Sequence, residues 1–152
     1  VVNALAYIKQ KEITKYFDFN KYIPNENLPH YLLDYVYEDE KILAVYKTFR
    51  DHGVFTTKKM VLFDNAISID PFKQIYTIPY KNISSCSIVF RSTKAELKCD
   101  LISGYPLRLK FINIKVEDKV RLRLLYSCIA RLITDQKLDQ NVVSDLSLNK
   151  IN

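Results

Sequence analysis

From Lys41 to Ile114 the chain reads as one short strand after another, each closed by a turn, and from Lys115 to Thr134 the period changes to that of a single amphipathic helix. That order constrains the fold more than any other feature. A run of antiparallel strands twists and bends and leaves an open end, and one C-terminal helix can plug it. The expected product is a bent barrel with a helical stopper.

The late strands carry the pattern best. In Lys94–Leu101, Ala95, Leu97, Cys99 and Leu101 alternate with Lys94, Glu96, Lys98 and Asp100, so one side of the sheet is dry and the other wet. Tyr105–Asn113 repeats the alternation, and Ser103-Gly104 supplies the turn between the two. Upstream, Lys41–Arg50 and Gly53–Thr57 flank Asp51-His52-Gly53, where the glycine is expected to take a positive φ. Lys59–Phe63 and Ala66–Asp70 flank Asp64-Asn65, a predicted turn, and Gln74–Tyr80 and Ile83–Phe90 bring the count to seven or eight antiparallel strands. Pro79 belongs at a strand end, because it lacks the amide donor that a ladder needs.

In the helix, Val116, Val120, Leu124, Leu125, Cys128, Ile129, Leu132 and Ile133 recur at intervals of three and four, with Lys119, Arg121, Arg123 and Arg131 mostly off that stripe. Glu117 and Asp118 open it and Arg131 closes it, as the helix dipole favours. Before the strands, Asn3–Phe17 and Pro29–Tyr37 are two candidate helices of an N-terminal extension, residues 1–37. The strand and helix region is 38–135. Residues 136–152 form a polar tail, expected to fray or dock weakly.

Charge is unevenly placed. Residues 41–111 hold twelve Lys and Arg against five Asp and Glu, whereas residues 1–40 hold four against seven. A basic strand region can attract phosphate-bearing or acidic partners, and edge lysines in a sheet also discourage aggregation. Three cysteines, Cys86, Cys99 and Cys128, and two histidines, His30 and His52, give neither a disulfide framework nor metal-ligand spacing. No metal and no cofactor is expected. No segment reaches the ~18 apolar residues of a membrane span, so the expectation is a cytoplasmic chain, at most peripheral at a membrane.

Catalytic chemistry finds little footing. His30 follows a proline, His52 sits in a turn, and with only Gly53 and Gly104 there is neither a nucleophile elbow nor a phosphate-cradling loop. Asp39-Glu40 and Glu117-Asp118 read as a solvated end and helix-start charges rather than an acid–base pair. The reading is no enzyme.

Three stretches resemble the bacterial pleckstrin-homology (PH) domains: Asp39-Glu40-Lys41-Ile42-Leu43-Ala44-Val45-Tyr46-Lys47-Thr48-Phe49-Arg50-Asp51, Val54-Phe55-Thr56-Thr57-Lys58-Lys59-Met60-Val61-Leu62-Phe63-Asp64 and Ile78-Pro79-Tyr80-Lys81-Asn82-Ile83. The likeness covers about residues 38–135. At the position of Lys59 the family favours arginine, and this chain departs from it. The resemblance implies a PH-like bent barrel of about seven strands capped by one helix, non-enzymatic, in a family where homo-oligomeric rings recur.

Three groups follow as candidate sites. Lys47, Arg50, His52, Lys58 and Lys59 gather in sequence around the opening hairpins and could hold an anion, such as a phospholipid headgroup on an acidic membrane surface. Lys47 shares phase with Leu43, Val45 and Phe49, so it should point to the apolar side and pair with Asp51 or Asp64, or snorkel to the rim. Tyr76 and Tyr80, from a chain with eleven tyrosines and no tryptophan, are the candidates for a self-association contact. The expected partner is another protein or a second copy. Single-stranded nucleic acid is the rival, weakened by the acidic residues interleaved with Lys94, Lys98, Arg108 and Lys110.

Overall fold

The computed structural model describes residues 17–66, 69–134 and 140–147. Among the described residues nine strands form two sheets. β1 (Asp18–Phe19), β9 (Pro106–Phe111), β8 (Ala95–Leu101) and β7 (Ile83–Phe90) lie side by side in one; β2 (Lys21–Tyr22), β3 (Ile42–Lys47), β4 (His52–Thr56), β5 (Lys59–Ala66) and β6 (Phe72–Pro79) make the other. Helix α1 (Val116–Ile133) packs across the core, and α2 (Gln140–Ser147) follows it. The fold is mainly β with a C-terminal helical plug, as the strand-then-helix order predicts.

The alternation read from the late strands is the observed one. Ala95, Leu97 and Cys99 on β8 and Leu107, Leu109 and Phe111 on β9 are buried, and Leu97 faces Leu109 across the ladder. With Tyr46, Phe55, Leu62, Leu122, Leu125 and Ile129 they form the main core. Its centre is aromatic: the rings of Phe111, Phe19 and Tyr46 meet at centroid distances of 5.1 and 4.9 Å, in tilted and edge-on contact. Gly104 turns the β8–β9 hairpin at φ 91°, which a side chain would resist.

Strands β3–β5 are buried on both faces, which simple alternation does not anticipate. Ala44, Tyr46, Phe55, Met60 and Leu62 point inward; Val45, Val54, Val61 and Phe63 point outward into a second cluster closed by Ile23 and Leu32. The cover comes from the segment before β3. The predicted helix Pro29–Tyr37 is a tighter 3₁₀ helix at His30–Tyr35, which carries Leu32 at 0% exposure. Residues 3–16 of the other predicted helix lie outside the described residues. Phe17, its last residue, is in the main core, followed by the unpredicted strands β1 and β2.

Three local expectations change. Asp64-Asn65 is not a turn: β5 runs through it, with Asp64 opposite Gln74 and Asn65 opposite Lys73, because Asp64 is buried and paired with Arg50. Gly53 lies within β4 and is needed for close approach, since a Cβ there would sit 2.5 Å from the edge of the Phe19 ring. The tail, expected to dock weakly, forms α2 within residues 140–147 and seats Val143 and Leu146 in the main core.

The α1 N-terminus is closed by its own acid, with the Lys115 N–H donating to Asp118 Oδ2 at 2.8 Å. Arg121, read as off the apolar stripe, is buried instead. Its guanidinium lies 3.8 Å from the centre of the Tyr22 ring and 3.8 Å from Asp118, so its charge is stacked and paired rather than solvated.

Candidate functional site

Strand β4 runs between the two ends at which the expected anion-binding residues sit. At its C-terminal end, the β4–β5 turn presents Lys58 and Lys59, and both meet carboxylates of the segment before β3. Lys58 Nζ is 2.7 Å from Asp39 on the surface, and Lys59 Nζ is 2.5 Å from the buried Glu40. Glu40 also accepts from Thr56 Oγ1 at 2.6 Å and from the Tyr37 N–H at 2.8 Å. Burial alone would favour the neutral acid, but the hydrogen bonds from Lys59, Thr56 and Tyr37 outweigh it and hold the Glu40 carboxyl below its ordinary range. The Tyr37 ring covers Lys59 Nζ at 3.8 Å, and Tyr80 Oη donates to the Thr56 carbonyl at 2.8 Å.

At the other end, the β3–β4 loop folds around Thr48, whose hydroxyl accepts the N–H groups of Arg50 and Asp51 at 3.1 and 2.9 Å. Arg50 Nε reaches the buried Asp64 at 2.6 Å. Asp51 accepts from Tyr31 Oη and faces His52 Nδ1 at 3.2 Å, while Tyr31 Oη is 2.9 Å from the same imidazole nitrogen. Burial raises the Asp51 carboxyl, yet the His52 and Tyr31 hydrogen bonds and the Lys73 charge bring it below its ordinary range. Tyr31 is pushed well up, by burial and by the carboxylate it serves. This network ties the 3₁₀ helix to the hairpin.

The five residues therefore do not converge. Arg50 and His52 stand at one end of β4 and Lys58 and Lys59 at the other, about 17 Å of extended chain away, and each of the four already faces a carboxylate. Lys47, the fifth, is exposed and forms no ion pair among the described residues, so its expected partnership with Asp51 or Asp64 is corrected. The reason is the irregularity between Ile42 and Ala44: both Leu43 and Ala44 turn inward, and beyond it Lys47 shares the outer face with Val45, past the covering segment.

The two tyrosines also separate. Tyr80 is 2% exposed and belongs to the 3₁₀ turn after β6, so it has no ring surface to give a second subunit. Tyr76 is half-buried on edge strand β6, edge-on to Phe17 at 6.3 Å, with its hydroxyl on Gln74 at 2.8 Å. On the wet face Lys98 lies 3.8 Å from Glu96 and Arg108 3.4 Å from Asp100, as the interleaved charges suggest. The Cys99 thiol is pushed up to about 12 by burial, far from a reactive thiolate. Among the described residues no group of three His, Cys, Asp or Glu is placed to share a metal ion, and no helix is long and apolar enough to cross a membrane.

Of the residues that organise these networks, Glu40 is expected from sequence at a solvated end and is instead buried against Lys59, Asp64 is expected in a turn or beside Lys47 and instead pairs with Arg50, and Tyr31 is given no role. Asp64 had a usable signal. It directly follows the buried run Met60-Val61-Leu62-Phe63, and a charge in that setting needs a partner.

Two sheets, antiparallel except for the parallel pairing of β1 with β9, around an aromatic core with a helix across the opening define a PH-like domain. The sequence profile of the bacterial PH domain matches residues 12–133, and the chain belongs to that family, whose domains are generally non-enzymatic. The solved PH-domain protein of Shewanella loihica PV-4 superposes with a TM-score of 0.57 at 24% identity, over 74% of this chain and 95% of that one. A PH-domain-containing protein of Exiguobacterium sibiricum 255-15 gives 0.58 at 18% identity, over 76% and 62%. The uncharacterized protein YjqA of Bacillus subtilis strain 168 is 40% identical over 63 residues, which is 41% of this chain and 47% of that relative, so the match spans about half of YjqA.

Proposed function

We propose that this chain is a non-enzymatic interaction module that binds protein, first of all further copies of itself. The carrying observation is the pairing of Arg50, His52, Lys58 and Lys59 with carboxylates of their own chain, which leaves no convergent anion pocket where the sequence places one. What remains available is sheet edge. β6 closes its sheet with eight residues, nothing pairs with its outer side among the described residues, and Phe72 is 42% exposed beside half-buried Ile75 and Tyr76. An edge of that length is a template for another strand.

Native mass spectrometry and light scattering at micromolar concentration test the reading. A defined assembly is expected, and Tyr76→Lys should lower its mass by placing a charge in the contact. A monomer at those concentrations would falsify self-association.

A second reading, contact with an anionic membrane, is supported by one feature: Phe49 is 84% exposed on the β3–β4 loop, between Lys47 at the end of β3 and Arg50. Sedimentation with phosphatidylserine vesicles at low salt decides it. Failure to co-sediment removes it. In either case the chain would work in the cytoplasm, free or at the membrane surface.

A further inference from the structure

We propose that Cys86 and Cys99 are an oxidation-sensitive pair: a peroxide converts Cys86 to a sulfenic acid, and Cys99, directly opposite it on the neighbouring strand, closes a reversible disulfide across the β7–β8 ladder. The inference goes beyond the interaction-module reading and does not depend on it.

The three cysteines are free thiols, and Cys86 faces Cys99 in the β7–β8 register. Opposed residues of an antiparallel pair point to the same side of the sheet. Here that side is the inner one: Cys99 is fully buried in the main core, and Cys86 packs against that core while keeping part of its surface in solvent. The hairpin sets the kind of pair. The Arg91 N–H donates to the Lys94 carbonyl at 2.7 Å, and the alternation of an antiparallel ladder then makes Cys86–Cys99 a pair without backbone bonds between its members. The helix agrees, because the Cys86 carbonyl accepts from Tyr126 Oη at 3.2 Å rather than from β8. Opposite Cα atoms at such a pair lie about 4.5 Å apart, inside the roughly 4.4–6.8 Å that a disulfide spans. The sulfurs also sense each other: burial raises the Cys99 thiol, and the neighbouring Cys86 sulfur raises it further.

Exposure divides the roles. Cys86 is the sulfur an oxidant reaches. Its thiolate attacks the peroxide O–O bond and keeps one oxygen as the sulfenic acid, while the other leaves as hydroxide and is protonated to water. Cys99 then attacks the sulfenic sulfur. The S–S bond forms, the S–O bond breaks, and the Cys99 proton leaves with the hydroxyl as a second water, so two thiols reduce one peroxide. The Cys99 thiolate fraction is small, which its fixed position against Cys86 offsets. Bridged Cβ atoms lie roughly 3.5–4.5 Å apart, closer than the about 4.5–5.5 Å of opposed strand residues, so the bond draws the strands together. β7 is the sheet edge and can move toward β8 without breaking another ladder among the described residues. A bond strained in this way is readily reduced by thiols. Oxidation also takes from Tyr126 the Cys86 S–H that it accepts at 3.6 Å, a contact that fastens α1 to β7. Cys128, on α1 and 2% exposed, takes no part.

The test exposes the reduced chain to hydrogen peroxide, alkylates the remaining thiols, digests with trypsin in the absence of reductant and maps the fragments by mass. Cleavage after Lys81, Arg91, Lys98 and Arg108 places Cys86 in fragment 82–91 and Cys99 in fragment 99–108. These two fragments should be found joined, in a chain that runs as a single copy on non-reducing denaturing electrophoresis, and dithiothreitol should part them. Cys128→Ser should keep the link and Cys86→Ser should abolish it. In Cys99→Ser, or Cys99→Ala where the serine does not fold, dimedone should label Cys86, the sulfenic acid having lost its resolving thiol. Fragments that stay apart with all three thiols alkylated, a link through Cys128, or one made only between chains overturns the proposal. Dimedone labelling of Cys99 in Cys86→Ser also overturns it, since the buried sulfur would then be the first to react. Amide exchange within residues 124–131 should quicken about twofold or more on oxidation, the low end for one hydrogen bond, and unchanged exchange there overturns the effect on α1.

Discussion

A glycine inside a strand ordinarily weakens it, yet Gly53 sits in β4 where the Phe19 ring edge would lie 2.5 and 2.6 Å from any added Cβ. Gly53→Ala should therefore cost about 1–3 kcal/mol through overpacking, read as a lowered urea midpoint with unchanged slope. Phe19→Leu in the same protein should restore part of the loss. Sequence alone pointed to this residue and gave the wrong reason, because Asp51-His52-Gly53 carries turn chemistry whether or not the turn falls there. What decides it is Phe19, far away in the chain and on a strand of only two residues.

Glu40 offers a pH test at the same scale. Its carboxyl is held below its ordinary range in the folded protein, so its stabilisation is complete above the unfolded-chain pKa and is lost as pH falls through the folded value. Stability should drop below about pH 4, and Glu40→Gln should flatten that acid limb. At neutral pH the same substitution leaves Lys59 buried without its counter-charge, at a cost of about 3 kcal/mol. Thermal melts from pH 3 to pH 7, on both proteins, read the two effects.

Among the elements, β8 and β9 were legible because one buried face imposes one period, and their residues kept it; α1 was legible as a helix, but its buried face is Arg121, Leu122, Leu125, Cys128 and Ile129, and Val116, on the expected stripe, is exposed. β5 was not. Its two buried faces erase alternation, and the polar pair Asp64-Asn65 then looked like a turn although a buried arginine contact holds it in the ladder. The tail misled for a related reason: its polar composition hides Val143 and Leu146, which lie three apart on one helical face. Leu146→Ala should cost about 2–4 kcal/mol, measured by denaturant unfolding. A variant that melts like the unaltered chain would mean α2 contributes no packing energy.

At the scale of the molecule, the candidate site was the least legible part. A sequence cluster of cations says nothing about which carboxylates fold onto it, and Asp39-Glu40, Asp51 and Asp64 supply the counter-charges from three places in the chain. The consequence is measurable. Because the exposed pair Lys58–Asp39 is the solvent-facing member, raising salt should weaken it while leaving the buried Glu40–Lys59 contact nearly unchanged. A Lys58→Ala protein should unfold at the same denaturant midpoint as the unaltered chain, a comparison that titration at two ionic strengths makes directly.

Residues 18–22 have one more effect. Asp18 and Phe19 run alongside β9, Lys21 and Tyr22 run against β3, and backbone bonds from Asn20 to Lys47 and from Ile112 to Phe19 fasten the crossing at 2.8 Å each. Five residues thus rivet the last strand of one layer to the first long strand of the other. A tether pulled at Phe17 would load both layers together, so rupture should come as a single force peak instead of a gradual unzipping.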